Sequence, residues 1–512
     1  MKKTLLCTIL GCLASVAFAD TVESAVVSAT PTAPPAPVAV TDTNPNAGFI
    51  GRYNYFQNPY GWMMSGGGTL HLTESQIEQQ NWAEKLFAGG TYNVFAGATY
   101  NQWDGSYASA GKSYGANIFA QTGQIGGFSL GGVVSIMNPV GQLNNDVNPI
   151  RPGTNVSGRF QSMYIPTFTS LTLPEAFIEY QYKNVVNADL GYVAFDNSPW
   201  LSGNMYTNML TVPTTYQGIG VNVYAGNGWV LSALGFNAAE FGAEKTGFTG
   251  QTNYTSWIDS PNAGSNGTAA IGAQYTDNSG NYNARMWGYQ FDNYGTLLYG
   301  DGSINFPIKG TGHSFNLGAQ FATSQQWFQS SNAMNTSSVS GAGNIQAYAT
   351  GVKAGWAYDQ YMWQLNLSAN TMWGPSNAWQ GGAIVSPYTQ SLQVDPLYSE
   401  AWSYNMVTSG QPGNMYKAQA QFALGNWGQN LIFQPVYVYV ANNNPNTNGL
   451  QELDLVMNYP LPQVRGLYLF GVYAQQWYSQ SAVGSVGGQA GSGGNNGNYQ
   501  PIEIQAGIYY TW

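Results

Sequence analysis

The last twelve residues, 501–512, constrain the fold more than any other stretch of the chain. Ile502, Ile504, Ala506, Ile508, Tyr510 and Trp512 fall on one face, and Glu503, Gln505, Gly507, Tyr509 and Thr511 on the other. A period of two is the signature of a β-strand. One apolar and one polar face mean oil on one side and water on the other. A half-buried edge strand of a soluble β protein would show the same pattern, so composition has to decide between them.

Only 7% of residues are Asp, Glu, Lys or Arg, whereas aromatics reach 14%, with 36 Tyr and 16 Trp. Ordinary soluble domains carry about 25% charged residues, because their surfaces face water. A membrane barrel needs far fewer, since its outer band faces hydrocarbon and Asn, Gln, Ser, Thr and Tyr can line its interior. Disorder would account for the shortage of charge but not for the aromatics. After the N-terminal leader no apolar stretch is long enough for a spanning helix, a role that takes about 18 residues or more.

Lys2 and Lys3, the apolar run from Thr4 to Phe18 and the small residues before Asp20 read as a signal peptide over 1–19. Ile9-Leu10-Gly11-Cys12 offers a lipoprotein-like alternative cleavage point. Cys7 and Cys12 both lie inside the leader, so the mature chain is expected to hold neither disulfides nor cysteine-ligated metal. Without Lys2 and Lys3 the basic residues fall from 14 to 12 against 24 acidic ones, a net charge of about −12. That balance argues against nucleic acid as a partner.

Residues 20–46 are rich in Pro and Ala and read as a periplasmic linker. Residues 47–90 form an N-terminal segment with one short helix near 71–85, where Thr73 and Gln76 fit a capping box. From 91 to 512 the alternation predicts an all-β, antiparallel transmembrane barrel of about eighteen strands, with sixteen as the next choice. Residues 361–373 alternate as cleanly as the last strand. Tyr361, Trp363, Leu365, Leu367, Ala369, Thr371 and Trp373 share a face opposite Gln364, Asn366, Ser368 and Asn370. At strand rise and barrel tilt the two tryptophans sit about 26 Å apart along the membrane normal, matching two aromatic girdles around an apolar band.

The connections alternate in length. Short ones fall at 123–125, 183–184, 225–227, 276–281 and 309–312; long ones fall at 138–172, 196–214, 238–266, 326–343, 374–413 and 479–499. Membrane barrels place short turns in the periplasm and long loops outside. The connection near 293–295 is short for an outer position, and 425–428 and 462–466 read as outer connections too unless the strand count near them is off.

Little in the chain suggests catalysis, metal binding or a cofactor. Its two histidines are His71 and His313. His313-Ser314 are neighbours, and neighbours on a strand point to opposite faces, so they do not form a hydrolytic pair. Residues 105–113 look like a phosphate loop, but the spacing is one residue too long and no helix follows. Charges on strands are cheapest facing the lumen, which makes Glu175, Glu179, Lys417, Glu452 and Asp454 pore-lining candidates. Arg285 is a further candidate, with its direction open because Trp287 and Tyr289 share its face. The third outer loop, 196–214, is the candidate constriction, with Asp196, Asn197, Asn204 and Tyr206 as its polar residues.

Several segments carry a family likeness. The terminal aromatic Trp512 resembles the membrane-insertion residue that ends Gram-negative outer-membrane barrels. Leu173-Pro-Glu-Ala-Phe-Ile-Glu-Tyr180, Leu190-Gly-Tyr192, Ser198-Pro-Trp200 and Val212-Pro-Thr-Thr-Tyr-Gln-Gly218 resemble, in order, a segment of the OprD-like specific porins. Glu452-Leu-Asp-Leu455 resembles that family's penultimate strands. The likeness implies an eighteen-stranded barrel passing small nutrients, often carboxylates, along a ladder of arginines. This chain has five: Arg52, Arg151, Arg159, Arg285 and Arg465. Gly203-Asn-Met-Tyr206 also lacks the family's acidic-x-Arg element, so the ladder does not carry over.

The sequence thus points to a non-enzymatic diffusion porin of the Gram-negative outer membrane. Its expected partners are outer-membrane lipid, the barrel-assembly machinery, and small solutes and ions; a homo-oligomer is left open. The alternative is a structural or adhesive surface barrel without an open pore.

Overall fold

The computed structural model describes residues 90–104, 109–140, 169–183, 185–195, 198–201, 215–240, 252–253, 267–277, 279–291, 295–326, 344–358, 363–384, 396–404, 406–409, 412–424, 431–442, 448–461, 467–477, 485–486, 489–490 and 502–511. The signal peptide, the linker, the short helix of 47–90 and the terminal Trp512 lie outside these residues.

Eighteen long strands follow one another. They are β1 (Thr91–Asp104), β2 (Ser109–Gln121), β3 (Phe128–Pro139), β4 (Ser170–Tyr182), β5 (Val186–Val193) and β6 (Thr215–Gly226). Then come β7 (Trp229–Glu240), β8 (Thr268–Thr276), β9 (Tyr282–Phe291), β10 (Gly295–Pro307), β11 (His313–Gln325) and β12 (Gln346–Tyr358). The last six are β13 (Trp363–Trp373), β14 (Gly413–Leu424), β15 (Leu431–Asn442), β16 (Gln451–Pro460), β17 (Leu467–Trp477) and β18 (Ile502–Thr511). Each pairs antiparallel with the next, and β18 pairs with β1 from Phe95↔Thr511 to Asp104↔Ile502. The sheet therefore closes on itself and leaves no unpaired edge.

Period-two sequences close into this shape because each strand offers one apolar face. Leu365, Leu367, Trp363 and Trp373 of β13 are exposed on the outside, while Asn370 and Met372 are buried inside. Ile271 on β8 is 70% exposed, and Val352, Leu190 and Leu130 also lie bare. In a membrane this apolar outer surface meets hydrocarbon. The opposite face carries Gln419, Gln421, Glu452, Asp454 and Gln505, all buried. In β18 the alternation holds: Ile508 faces out and Gln505 in.

Strand order corrects one expectation. Residues 425–428 and 462–466 fall in the β14–β15 and β16–β17 connections. Both join an even strand to an odd one, as 123–125 does, so they belong to the short-turn end and not to the outer end. The β9–β10 connection remains short at the long-loop end, where Phe291 pairs with Gly295.

Prolines sit where the ladder breaks. The β3–β4 register shifts between Val133 and Ser135, opposite Leu173 and Pro174. The β14–β15 pairing is interrupted between Gln419↔Val436 and Phe422↔Phe433, beside Pro435, which has no N–H to give. The β6–β7 hairpin turns through Asn227-Gly228, with φ of 50° and 82°. Two successive positive φ values are the mark of a type I′ turn, which Asn-Gly favours. A Cβ added at Gly228 would lie 1.8 Å from the Thr276 carbonyl oxygen on β8. Gly228→Ala should therefore cost more than the roughly 1 kcal/mol at stake in an unobstructed glycine replacement. A denaturant midpoint equal to wild type would contradict this.

Candidate pore constriction

Two outer connections fold back into the lumen. The first is the 194–214 connection, of which 194–195 and Ser198–Leu201 are described. The latter four residues are buried against β9 and β10. The Ser198 hydroxyl lies 2.8 Å from the Tyr289 hydroxyl, and the Trp200 N–H donates to the same oxygen at 3.4 Å. The Trp200 ring meets Tyr299 edge-on at 5.8 Å. The candidate residues Asp196, Asn197, Asn204 and Tyr206 lie outside the described residues.

β9 supplies the docking platform. Trp287, Tyr289 and Phe291 point inward and stack in sequence at 5.7 Å. This settles the direction of Arg285, which shares their face. The Arg285 Nε donates to Asp301 Oδ1 on β10 at 2.5 Å, and the guanidinium lies 5.7 Å from the Tyr299 ring centre. Arg285 faces the lumen, but with a carboxylate in hand.

The second intrusion was not expected from the sequence. It belongs to the 374–412 connection between β13 and β14. Trp379, Ala383 and Ile384 are buried, and residues 396–404 form a strap anchored at both ends. The Tyr398 hydroxyl donates to the Ala319 carbonyl on β11 at 3.1 Å, with Gly302 O on β10 at 3.5 Å. Ser368 Oγ donates to the Tyr398 carbonyl at 2.8 Å, and the Ser399 N–H donates to Asn370 Oδ1 at 2.9 Å. Lys417 Nζ on β14 donates to the Glu400 carbonyl at 3.0 Å. At the far end the Trp402 N–H donates to Asp454 at 2.9 Å and the Ser403 N–H to Glu452 at 2.6 Å. The Ser403 hydroxyl donates to Glu503 on β18 at 2.8 Å.

These anchors fix the path of the strap. Tyr398 and Ser399 are bonded from β13, Glu400 from β14, and Trp402 and Ser403 from β16 and β18, so the strap runs along one arc of the inner wall, with the Tyr398 side chain reaching on to β11. A segment laid on the inner wall takes up lumen space and narrows the opening.

The structure gathers Lys417, Glu452 and Asp454 under the strap and sets Arg285 with Asp301 beside its Tyr398 end. Glu452 and Asp454 are 0% exposed. Charge-assisted bonds from backbone N–H groups, with Gln476 donating to Glu452 at 2.8 Å, are what buried carboxylates require. Glu175 and Glu179 lie apart on β4, also buried. Glu179 accepts from Gln121 at 2.6 Å and is in register with Asp189 on β5. His313 stacks on Trp356 and lies tilted against Tyr358, and the Trp356 Nε1–H donates to its Nδ1 at 3.1 Å.

Sequence reasoning missed Asp301, Lys353, Tyr398, Glu400, Trp402 and Ser403 as participants. One signal was present. Leu397, Ala401, Trp402, Tyr404, Met406 and Val407 place an apolar group in a loop read as water-facing, and such a group needs a surface to bury against.

No family model matches the sequence, and no curated protein matches it. Solved structures do. Pseudomonas aeruginosa OccK1 (OpdK) is 12% identical, with a TM-score of 0.59 over 83% of this chain and 100% of that one. P. aeruginosa OccK2 (OpdF) in complex with glucuronate is 11% identical, with a TM-score of 0.60 over 83% of this chain and 98% of that one. Acinetobacter baumannii OccAB2 is 14% identical, with a TM-score of 0.60 over 84% of this chain and 99% of that one. At such identities the likeness is one of fold, and the fold is the closed, eighteen-stranded antiparallel β-barrel of the OprD-like porins.

Proposed function

We propose that this protein is an outer-membrane porin for passive diffusion of small hydrophilic solutes and ions. The observation that carries the reading is a closed barrel, apolar outside and polar inside, with the 396–404 strap held along one arc of its inner wall. In this reading 1–19 is the signal peptide, 20–46 a periplasmic linker and 47–90 an N-terminal segment. Lipid surrounds the 91–512 barrel, which the barrel-assembly machinery inserts. A homo-oligomer is compatible with it, and no catalytic role is assigned.

Stepwise conductance in a planar bilayer tests the reading. A purified barrel that leaves the bilayer sealed across voltages and salts would overturn it and favour a structural or adhesive barrel. That second reading draws on the depth of burial under the strap, where Glu452, Asp454 and Trp402 have almost no exposure.

P. aeruginosa OpdK has been solved with vanillate and OccK2 with glucuronate, both carboxylates. Here, without an arginine ladder, a dedicated carboxylate channel is not the expectation. Acidic residues outnumber basic ones across the chain, and Glu175 and Glu179 lie on the inward face of β4. We expect a mild preference for cations at neutral pH, read as the reversal potential across a KCl gradient. Clear anion selectivity would contradict it.

A further inference from the structure

Three inward cations occupy one arc of the wall: Arg285 on β9, Lys353 on β12 and Lys417 on β14. Each meets a group supplied by the chain itself. Arg285 meets the Asp301 carboxylate. Lys417 meets the Glu400 carbonyl of the strap. Lys353 meets the face of Tyr398, its ammonium 4.7 Å from the ring centre. That distance is well inside the roughly 6 Å reach of a cation–π contact. Lys353 is on the inward side: its neighbours Val352 and Ala354 point out, and its stem lies against Gly318.

We propose that Tyr398 is a selectivity-determining residue, which covers Lys353 and withholds its charge from anions passing the constriction. The proposal rests on the channel reading above. Its physical basis is the distance dependence of ion attraction. An anion touching an ammonium sits about 4 Å away, where the attraction near a protein surface is strongest. A ring laid over the ammonium occupies that first contact position and keeps the anion beyond it. The ring is itself pinned: its hydroxyl donates to the Ala319 carbonyl, its own carbonyl accepts from Ser368, and the next N–H is held by Asn370. The cover is therefore a fixed part of the wall and does not depend on a solute to set it.

A double-mutant cycle in a planar bilayer tests this, with reversal potentials across a KCl gradient as the readout. Tyr398→Leu, too short to reach over Lys353, should move the potential toward anion preference. Tyr398→Phe, which keeps the ring, should stay near wild type. Lys353→Met alone should shift the wild-type potential far less than it does in the Tyr398→Leu background, because the ring keeps anions beyond first contact with that charge. In the Tyr398→Leu background, Lys353→Met should cancel the shift. If folded Tyr398→Leu changes conductance without changing the potential, Tyr398 acts only as an obstacle and the proposal is overturned. A large shift toward cations in Lys353→Met alone would overturn it as well, because anions would then be reaching the charge past the ring, and that arm leaves Tyr398 intact should the leucine variant fail to fold. A wild-type protein with no conductance steps would sink the channel reading and the proposal together. Wild-type steps with an unmoved Tyr398→Leu potential would sink the proposal alone.

Discussion

Removing residues 396–404 should raise the unit conductance severalfold while leaving the barrel closed. The strap is held to the inner wall through side-chain hydrogen bonds: Tyr398 to Ala319 at one end, Ser399 to Asn370 and Glu400 to Lys417 between, and Trp402 and Ser403 to Asp454, Glu452 and Glu503 at the other end. None of these bonds belongs to a strand ladder. The eighteen strands hold each other through continuous antiparallel pairing, including β18 to β1, so the wall does not depend on the strap for closure. Without it, Glu452 and Asp454 lose backbone donors but gain lumen water, which satisfies a carboxylate. The open cross-section then grows by the width of one peptide segment and its side chains. Planar-bilayer recordings check the outcome, with heat-modifiability on gels showing that the barrel has formed. A folded deletion variant with the wild-type unit conductance would place the strap outside the permeation path.

The barrel wall was largely legible in the sequence, and the constriction largely was not. A membrane on one side and water on the other force every strand to alternate, so β13 and β18 announce themselves residue by residue. The strand count of eighteen follows from summing such segments. Which end a connection occupies depends on counting parity through the whole chain, and there the reading of 425–428 and 462–466 slipped. Arg285 illustrates a deeper limit. Trp287, Tyr289 and Phe291 on its face look like a lipid-facing stripe, yet they point inward because Ser198–Leu201 cover them. Inward aromatics roofed by the chain's own loops mimic the outside. The strap was hidden for the same reason: its anchors lie in strands from β10 to β18, and no local pattern records a contact between Ser403 and a residue 100 positions away. The polar faces of those strands carry the anchors, and no local pattern shows what they hold.

Asp301→Ala should be among the most destabilising single substitutions in the wall. Arg285 and Asp301 have side chains only 10% and 11% exposed, and Nε and Oδ1 lie 2.5 Å apart. Arg285 lies on the inward side of the barrel, next to Tyr299 and near the docked Trp200. Removing the carboxylate leaves a guanidinium with little water and no counter-charge from its hairpin partner. Breaking a buried ion pair from one side costs about 3–5 kcal/mol. The Tyr299 face, worth about 0.5–2 kcal/mol as a cation–π partner, offsets only part of that. Replacing both members with apolar groups of similar volume should cost far less, since well-packed apolar pairs often substitute for buried ion pairs with little or no loss. The comparison is therefore Asp301→Ala against the pair Arg285→Met with Asp301→Leu, each unfolded by urea from lipid vesicles. The single variant should unfold at a clearly lower urea concentration than the double variant. If the two midpoints coincide, Arg285 is hydrated from the lumen in the folded barrel, and the pair is an ornament of the wall instead of one of its fixed points.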